Sequence, residues 1–230
     1  MKRTVLVFDL DDTLYAEREF VLSGFTAVDL WLQQKRGITG FSLEATSLFL
    51  AGVRGHIFDK TLGNLGLSDL AGLVPELVEI YRGHKPQLTL FADAEWAIER
   101  FCGKLKLGLI TDGYAETQRN KVAALEIGGA FDCIVYTDDL GRHNWKPSPV
   151  AFRLTMERLG VTGEECIYVG DNPAKDFLAP NGLGWLTVRI SREGGEYARG
   201  AGEMATPDHK AKKVINSLYE LSELIGENSA

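Results

Sequence analysis

Val5-Leu6-Val7-Phe8-Asp9-Leu10-Asp11-Asp12-Thr13-Leu14-Tyr15 sets the architecture of the chain. Its apolar opening is too short for a stable isolated helix, is rich in β-branched and aromatic residues, and stops abruptly at carboxylates. That pattern predicts a buried strand delivering acids to the edge of a sheet, where open α/β sheets keep their ligands. Three carboxylates within four positions repel one another and are costly to desolvate, so a buried site here needs a cation or a shared proton. Hard oxygen donors suit Mg²⁺. Asp11-Asp12-Thr13 also suits a plain turn after a strand. Asp9, attached directly to the apolar strand end, is the residue that requires a partner.

Working outward, the segment after Pro86 alternates short apolar runs with helical patterns. Strands are expected at Leu105 to Thr111, Cys133 to Tyr136, Cys166 to Gly170, Trp185 to Ile190, and, as a short edge strand, Lys212 to Ile215. Helices are expected from about Ala92 to Cys102, Ala115 to Leu125 and Val150 to Leu159, from near Pro173, and from Ser217 to Ile225. The alternation implies βαβ units with right-handed crossovers, hence a Rossmann-like, mostly parallel α/β sheet flanked by helices. No G-x-G-x-x-G follows any strand, so dinucleotide binding has no support. The Gly-, Glu- and Arg-rich stretch 191–207 reads as a long exposed loop.

Between Glu17 and Lys85 the character is different: spaced apolar residues on a polar background, punctuated by Gly37, Gly40, Gly63, Gly66 and Gly72. Four short helices fit, at about 17–35, 42–52, 54–65 and 69–83. The expected organisation is an α/β core of residues 1–15 and 87–230 with a small helical domain, 16–86, inserted after the first strand. Such an insert either caps the strand's carboxyl end or covers one sheet face.

The chain has 230 residues, enough for one substantial core or a core with a smaller insert. A net charge of −7 and a pI near 5.2 argue against general nucleic-acid or membrane-surface binding. The three cysteines, Cys102, Cys133 and Cys166, are odd in number, form no C-x-x-C pair and lie in or beside apolar segments. Buried thiols in a reducing compartment are expected rather than a disulfide framework or zinc site. The immediate first strand leaves no signal-peptide pattern, and no apolar run approaches transmembrane length, so a cytoplasmic location is expected.

Three further strand ends carry candidate chemistry. Thr111, followed by Asp112-Gly113, offers a hydroxyl and turn N–H groups to phosphate oxygens, or simply caps the next helix. Lys146 lies in Trp145-Lys146-Pro147-Ser148-Pro149, where proline restricts the chain beside it. It is either a directed ammonium or a solvated charge. Asp171 ends another apolar run in Gly170-Asp171-Asn172-Pro173-Ala174-Lys175-Asp176. Asp171 and Asp176 are expected to join the Asp9 cluster around a cation, with Asp176 in the first turns of a helix; alternatively both only complement a helix dipole.

In order, Asp9-x-Asp11-x-Thr13, Thr111, Lys146 and Gly170-Asp171 with Asp176 resemble the four motifs of the haloacid dehalogenase (HAD) superfamily, over essentially the whole chain. The helical insert is similar to the cap of subfamily I. The resemblance implies a Mg²⁺-dependent phosphatase acting on a small phosphorylated metabolite, with Asp9 as nucleophile and Asp11 as general acid and base. It further implies a metal held by Asp9, the Asp11 backbone carbonyl and Asp171, supported by Thr13 and Asp176, and phosphate held by Thr111, Asp112, Gly113 and Lys146. Asp12 is expected to face away within the turn. Arg54, Lys60 and Arg82 are candidate substrate contacts from the cap, or part of its solvated face. The alternatives are a phosphomutase of the same superfamily and a non-catalytic regulatory protein on this fold. Dehalogenation ranks low because dehalogenases resembling this chain lack the second acid, and Asp11 is present.

Overall fold

A computed structural model describes residues 3–195 and 206–226. The chain divides into two compact units, Met1–Ala16 with Thr89–Ala230, and Glu17–Leu88. The first is built on strands β1 (Val5–Phe8), β2 (Lys106–Thr111), β3 (Cys133–Tyr136), β4 (Cys166–Gly170), β5 (Leu186–Ile190) and β6 (Lys213–Ile215). They form one sheet in the order β3-β2-β1-β4-β5-β6, every pair parallel. All four β1 residues are fully buried, which is why the strand is continuously apolar rather than alternating. The chain runs outward from β1 to β3 on one side and returns at β4 on the other. This places the strand-order reversal, where open sheets form their ligand crevice, between the carboxyl ends of β1 and β4. Phe8 is level with both Leu109 and Val169, so Asp9 and Asp171 leave the sheet at nearly the same height.

The second unit is helical: α1 (Glu17–Arg36), α2 (Phe41–Leu50), α3 (Ile57–Asn64) and α4 (Val74–Gly83). Its core is Phe25, Val28, Leu32, Phe41, Phe58, Leu62 and Leu77. Gly24 lets α1 approach α4: a Cβ there would lie 2.4 Å from the Tyr81 ring. The helix expected over 69–83 is instead a 3₁₀ turn, Ser68–Leu73, followed by α4. Pro75 lies in the first turn of α4, where its missing N–H costs no helical bond, so the α-helix restarts there.

In the first unit α5 (Ala92–Phe101), α6 (Ala115–Ala124) and α7 (Val150–Leu159) link the strands, and α8 (Leu178–Gly182) and α9 (Leu221–Ile225) are single turns. The helix expected from near Pro173 begins only at Leu178, because the amides of Lys175 and Asp176 fold back on the Asn172 carbonyl and make a turn first. Asp176 therefore precedes its helix rather than lying within it. The C-terminal helix is likewise divided into a 3₁₀ turn and α9. Much of the expected 191–207 loop, residues 196–205, lies outside the described residues. Cys133 and Cys166 are buried free thiols as expected, whereas Cys102 is exposed. Burial pushes the Cys166 thiol up to about 12.

Asp93, in the first turn of α5, ties this unit together. Its carboxylate accepts twice from Arg192 Nη1 (2.8 and 2.7 Å), and from the Ser217 hydroxyl (2.9 Å) and the Leu218 amide (2.8 Å). Arg192 also donates to the Thr13 carbonyl at 2.7 Å, anchoring the turn that follows β1. No helix among the described residues is long and apolar enough to cross a membrane.

Candidate active site

The turn after β1 begins with the Asp9 amide donating to the Val169 carbonyl at 2.8 Å. The amides of Thr13 and Leu14 then close on the Leu10 carbonyl, and Asp12 takes a left-handed conformation, φ 50°. This tight reversal sends Asp9 and Asp11 to different partners. Asp9, 1% exposed, faces β4. Asp11 faces α6, where its carboxylate accepts from the Tyr15 hydroxyl, from Lys121 Nζ at 2.7 Å and from Gln118 Nε2 at 3.0 Å. Burial alone raises the Asp11 pKa, but the Lys121 charge and these three donors outweigh it and hold the carboxyl below its ordinary value. Asp12, expected to face away within the turn, is buried, and its charge bears on Asp171.

Lys146 crosses the floor of the site with its side chain fully buried. Its ammonium donates to Asp9 Oδ1 (2.8 Å), Asp176 Oδ1 (2.8 Å) and the Tyr168 hydroxyl (3.0 Å). Desolvation opposes its charge, yet the two carboxylates prevail and raise its pKa well above the usual lysine value. Asp176 also accepts from Tyr168 Oη and from the Asn172 amide. These donors and the Lys146 and Lys175 charges offset its burial and lower its pKa. Gly170 is required by this packing, since a Cβ there would sit 2.6 Å from Asp176 Oδ2.

Asp9, Asp171 and Asp176 each present a carboxylate oxygen within 4.8 Å of the others. Burial, with the Asp176 charge, pushes Asp9 up to about 6 despite Lys146. Asp171 is pushed further, to about 9, by burial and then by the charges of Asp176, Asp9 and Asp12. Among the described residues none donates a hydrogen bond to the Asp171 carboxylate, unlike Asp9 and Asp176. The Lys175 charge opposes the upward shift of Asp171 without reversing it; a buried carboxylate beside two others, with no hydrogen-bond donor, favours a further cation, and an all-oxygen set of this kind fits a hard divalent cation.

Thr111 ends β2 fully buried, its hydroxyl accepting from Gln118. The Asp112 carboxylate accepts from the Thr137 hydroxyl (2.7 Å) and the Lys146 amide (3.1 Å) and lies 3.6 Å from Lys175 Nζ. A carboxylate so placed orients the Lys146 segment; only the Asp112 backbone is suited to an anion. Gly113 has φ +125°, and a Cβ there would press on Gln118 at 3.2 Å. The Thr13 hydroxyl is buried with no hydrogen-bond partner among the described residues.

The structure thus brings Asp9, Asp171, Asp176 and Lys146 together, and sets Asp11 and Thr111 around Gln118. Arg54, Lys60 and Arg82 lie in the helical unit. There Arg54 donates to the carbonyls of Phe49 and Val53, Arg82 is 3.6 Å from Glu79, and Lys60 is exposed. Sequence reasoning missed Tyr15, Gln118, Lys121 and Tyr168. The signal for two of them was present, since Gln118 and Lys121 are three apart and share one helix face. That face is the inward one, with Gln118 and Lys121 only 1% and 4% exposed, and polar residues on an inward stripe call for a polar partner.

Fold and site together define a Rossmann-like α/β protein with a carboxylate-lined site at its strand ends, and the family model of haloacid dehalogenase-like hydrolases matches residues 6–190. The chain belongs to that family, as its four motifs imply. It is similar to the glyceraldehyde 3-phosphate phosphatase of Methanocaldococcus jannaschii, 30% identical over 96% of both chains. A crystal structure of a HAD phosphatase from Thermococcus onnurineus has the same fold over the full length of both chains, with TM-score 0.63 and 28% identity. A third relative, (S)-2-haloacid dehalogenase 4A of Burkholderia cepacia, is 30% identical over 70% of this chain and 64% of its own. The two phosphatases accord with an enzyme of the phosphoric monoester hydrolase kind.

Proposed function

We propose that the protein is a Mg²⁺-dependent phosphatase that hydrolyses a small phosphate monoester through a phosphoaspartate on Asp9. The observation that supports it most is the buried trio Asp9, Asp171 and Asp176, with Asp171 lacking a donor and its carboxyl pushed up to about 9. Asp9 and Asp171, with the Asp11 carbonyl and the supporting Asp176, are the residues that would hold the metal. Bound Mg²⁺ supplies neutralisation of the phosphoryl oxygens, so that an anionic nucleophile can approach an anionic ester.

The chain's own groups divide the remaining work. Asp9 Oδ attacks phosphorus; the Asp9–phosphorus bond forms as the ester P–O bond breaks. Lys146, 2.8 Å from Asp9, favours the ionised nucleophile and balances the charge of the transferring group. Thr111 and the backbone amides of the following turn donate to the phosphoryl oxygens. Asp11 gives a proton to the departing alkoxide, then takes one from the water that attacks phosphorus and breaks the Asp9 ester. Without substrate Lys121 favours its carboxylate form, the form that activates water; the proton that it gives to the alkoxide is taken up as the anionic ester enters the site and raises the affinity of Asp11 for it.

A second reading, dehalogenation of a 2-haloacid, has the Burkholderia relative in its favour. Asp11 opposes it, because displacement of halide needs no proton donor. The test is phosphate release, with Mg²⁺ and with chelator, from a panel headed by glyceraldehyde 3-phosphate and including phosphoserine, phosphoglycolate, sugar phosphates and nucleotides. A haloacid is assayed alongside for halide release, and a hexose 1-phosphate for isomer formation. Metal-dependent phosphate release that Asp9→Asn abolishes is the expected result. Wild-type-like hydrolysis by Asp9→Asn would refute the assignment, and halide release or isomerisation without phosphate release would replace it.

A further inference from the structure

Asp11 projects from a turn rather than a strand, so what holds its carboxylate determines where its proton is delivered. Two of its three donors come from one face of α6. Gln118 Nε2 donates to Asp11 Oδ2 at 3.0 Å and also to the Thr111 hydroxyl oxygen. The amide orientation follows from chemistry, since an ionised carboxylate only accepts. Because Thr111 Oγ1 accepts from Gln118, its own hydrogen is directed elsewhere and is available to a phosphoryl oxygen. A single side-chain amide therefore sets the proton-transfer group and the phosphate donor in one geometry.

Lys121 lies on the same face of α6, 4% exposed, with its ammonium 2.7 Å from the other Asp11 oxygen. The start of α6 is fixed in turn by the Asp138 carboxylate, which accepts from the Ala115 amide at 3.1 Å. Gly113 leaves the space that Gln118 occupies; any side chain there would meet Gln118 at 3.2 Å. The arrangement is held from the helix end, from the turn and by both oxygens of Asp11.

We infer that Gln118 and Lys121 are positioning residues for the proton-transfer step. They hold the Asp11 carboxylate in register with the phosphate seat at Thr111, and their removal impairs protonation of the leaving group more than attack on phosphorus. This rests on the phosphatase reading above. The distinguishing property is the leaving group. An alkoxide must be protonated as it departs, whereas p-nitrophenolate departs without a proton, and kcat/KM reports events only through this first displacement.

The experiment compares kcat/KM for the best alkyl phosphate of the panel with that for p-nitrophenyl phosphate in wild type, Gln118→Leu, Lys121→Met and Lys121→Arg, with Tm measured for each. Displacing a general acid forfeits much of a 10²- to 10⁴-fold contribution. Lys121→Met is therefore expected to lose about 10²-fold on the alkyl ester and less than about tenfold on p-nitrophenyl phosphate; Gln118→Leu, which also releases the Thr111 hydroxyl, is expected to lose on both esters, with the alkyl ester losing at least about tenfold more. Lys121→Arg keeps a cation beside Asp11 and is expected to recover most of the alkyl activity. Equal losses on both esters, or an arginine variant no better than methionine, would overturn the inference. If Lys121→Met does not fold, Gln118→Leu decides the matter by the same ratio. A wild-type enzyme silent on both esters would instead bring down the phosphatase reading, and this assignment with it.

Discussion

Asp171→Asn offers a test of the site that needs no substrate. The Asp171 carboxyl is pushed from 3.8 to about 9 by burial and by the charges of Asp176, Asp9 and Asp12. A folded-state value above the unfolded one means that the folded protein binds the extra proton. The stabilisation is complete below about pH 4 and is lost as the pH rises through about 9. At pH 7, about 3 pH units above 3.8, and at about 1.4 kcal/mol per unit, the cost to the metal-free protein is about 4 kcal/mol. On the proposed function, Mg²⁺ at this site would supply a counter-charge to Asp171, so its stabilising effect is expected to grow over the same range. The amide that replaces the carboxyl in Asp171→Asn carries no charge and can donate to a neighbouring carboxylate. Urea unfolding in chelator, from pH 5 to 8.5, is expected to show wild type losing stability steadily. Asp171→Asn should show a flatter profile, be the more stable protein at pH 8, and gain little from Mg²⁺. A variant equal to or less stable than wild type in chelator at pH 8, with the same slope, would refute the electrostatic argument.

Two further perturbations test what surrounds the site. Lys146→Met leaves Asp9 and Asp176 buried without the ammonium that each accepts from at 2.8 Å; removing one partner of a buried ion pair costs about 3–5 kcal/mol, which urea unfolding at pH 7 measures. An unchanged midpoint would show that the three groups do not depend on one another. At Asp93, burial raises the pKa but the hydrogen bonds from Arg192 and Leu218 and the Arg192 charge lower it overall. Its contribution is present above the ordinary carboxylate range and lost as the pH falls through the depressed folded value. Asp93→Asn is expected to cost about 3 kcal/mol at neutral pH and to flatten the loss of stability below about pH 4. A wild-type acid profile in the variant would contradict it.

Much of this protein was legible in the sequence because its signals are local. A short apolar run ending in Asp9, rich in β-branched and aromatic residues, reads as a strand buried on both faces, and four such runs ending in Asp9, Thr111, Asp171 and Tyr136 imply a parallel sheet. Parallel strands put all their carboxyl ends on one edge, so the order of the motifs already grouped Asp9, Thr111 and Asp171. The limits came where local rules compete. Pro173 looked like a helix start, but carbonyl sharing at Asn172 delays the helix to Leu178. The 69–83 stretch had helical spacing, but Pro75 divides it.

Which acid meets which base was settled by packing. Asp9 and Asp11 are two residues apart, yet Asp9 ends the strand while Asp11 lies in the turn that closes on the Leu10 carbonyl, so one meets Lys146 and the other Lys121, each from more than a hundred residues away. Spacing along the chain contains no record of those pairings, because a side chain's partner is set by the way α6 and the Lys146 segment lie against the sheet. Residue order was enough to gather the carboxylates at one strand end and to require a cation or a shared proton among them. Their separation into a buried trio, Asp9, Asp171 and Asp176, and an Asp11 gripped by α6 came from the fold, where burial makes every unpaired charge costly enough to dictate its neighbour.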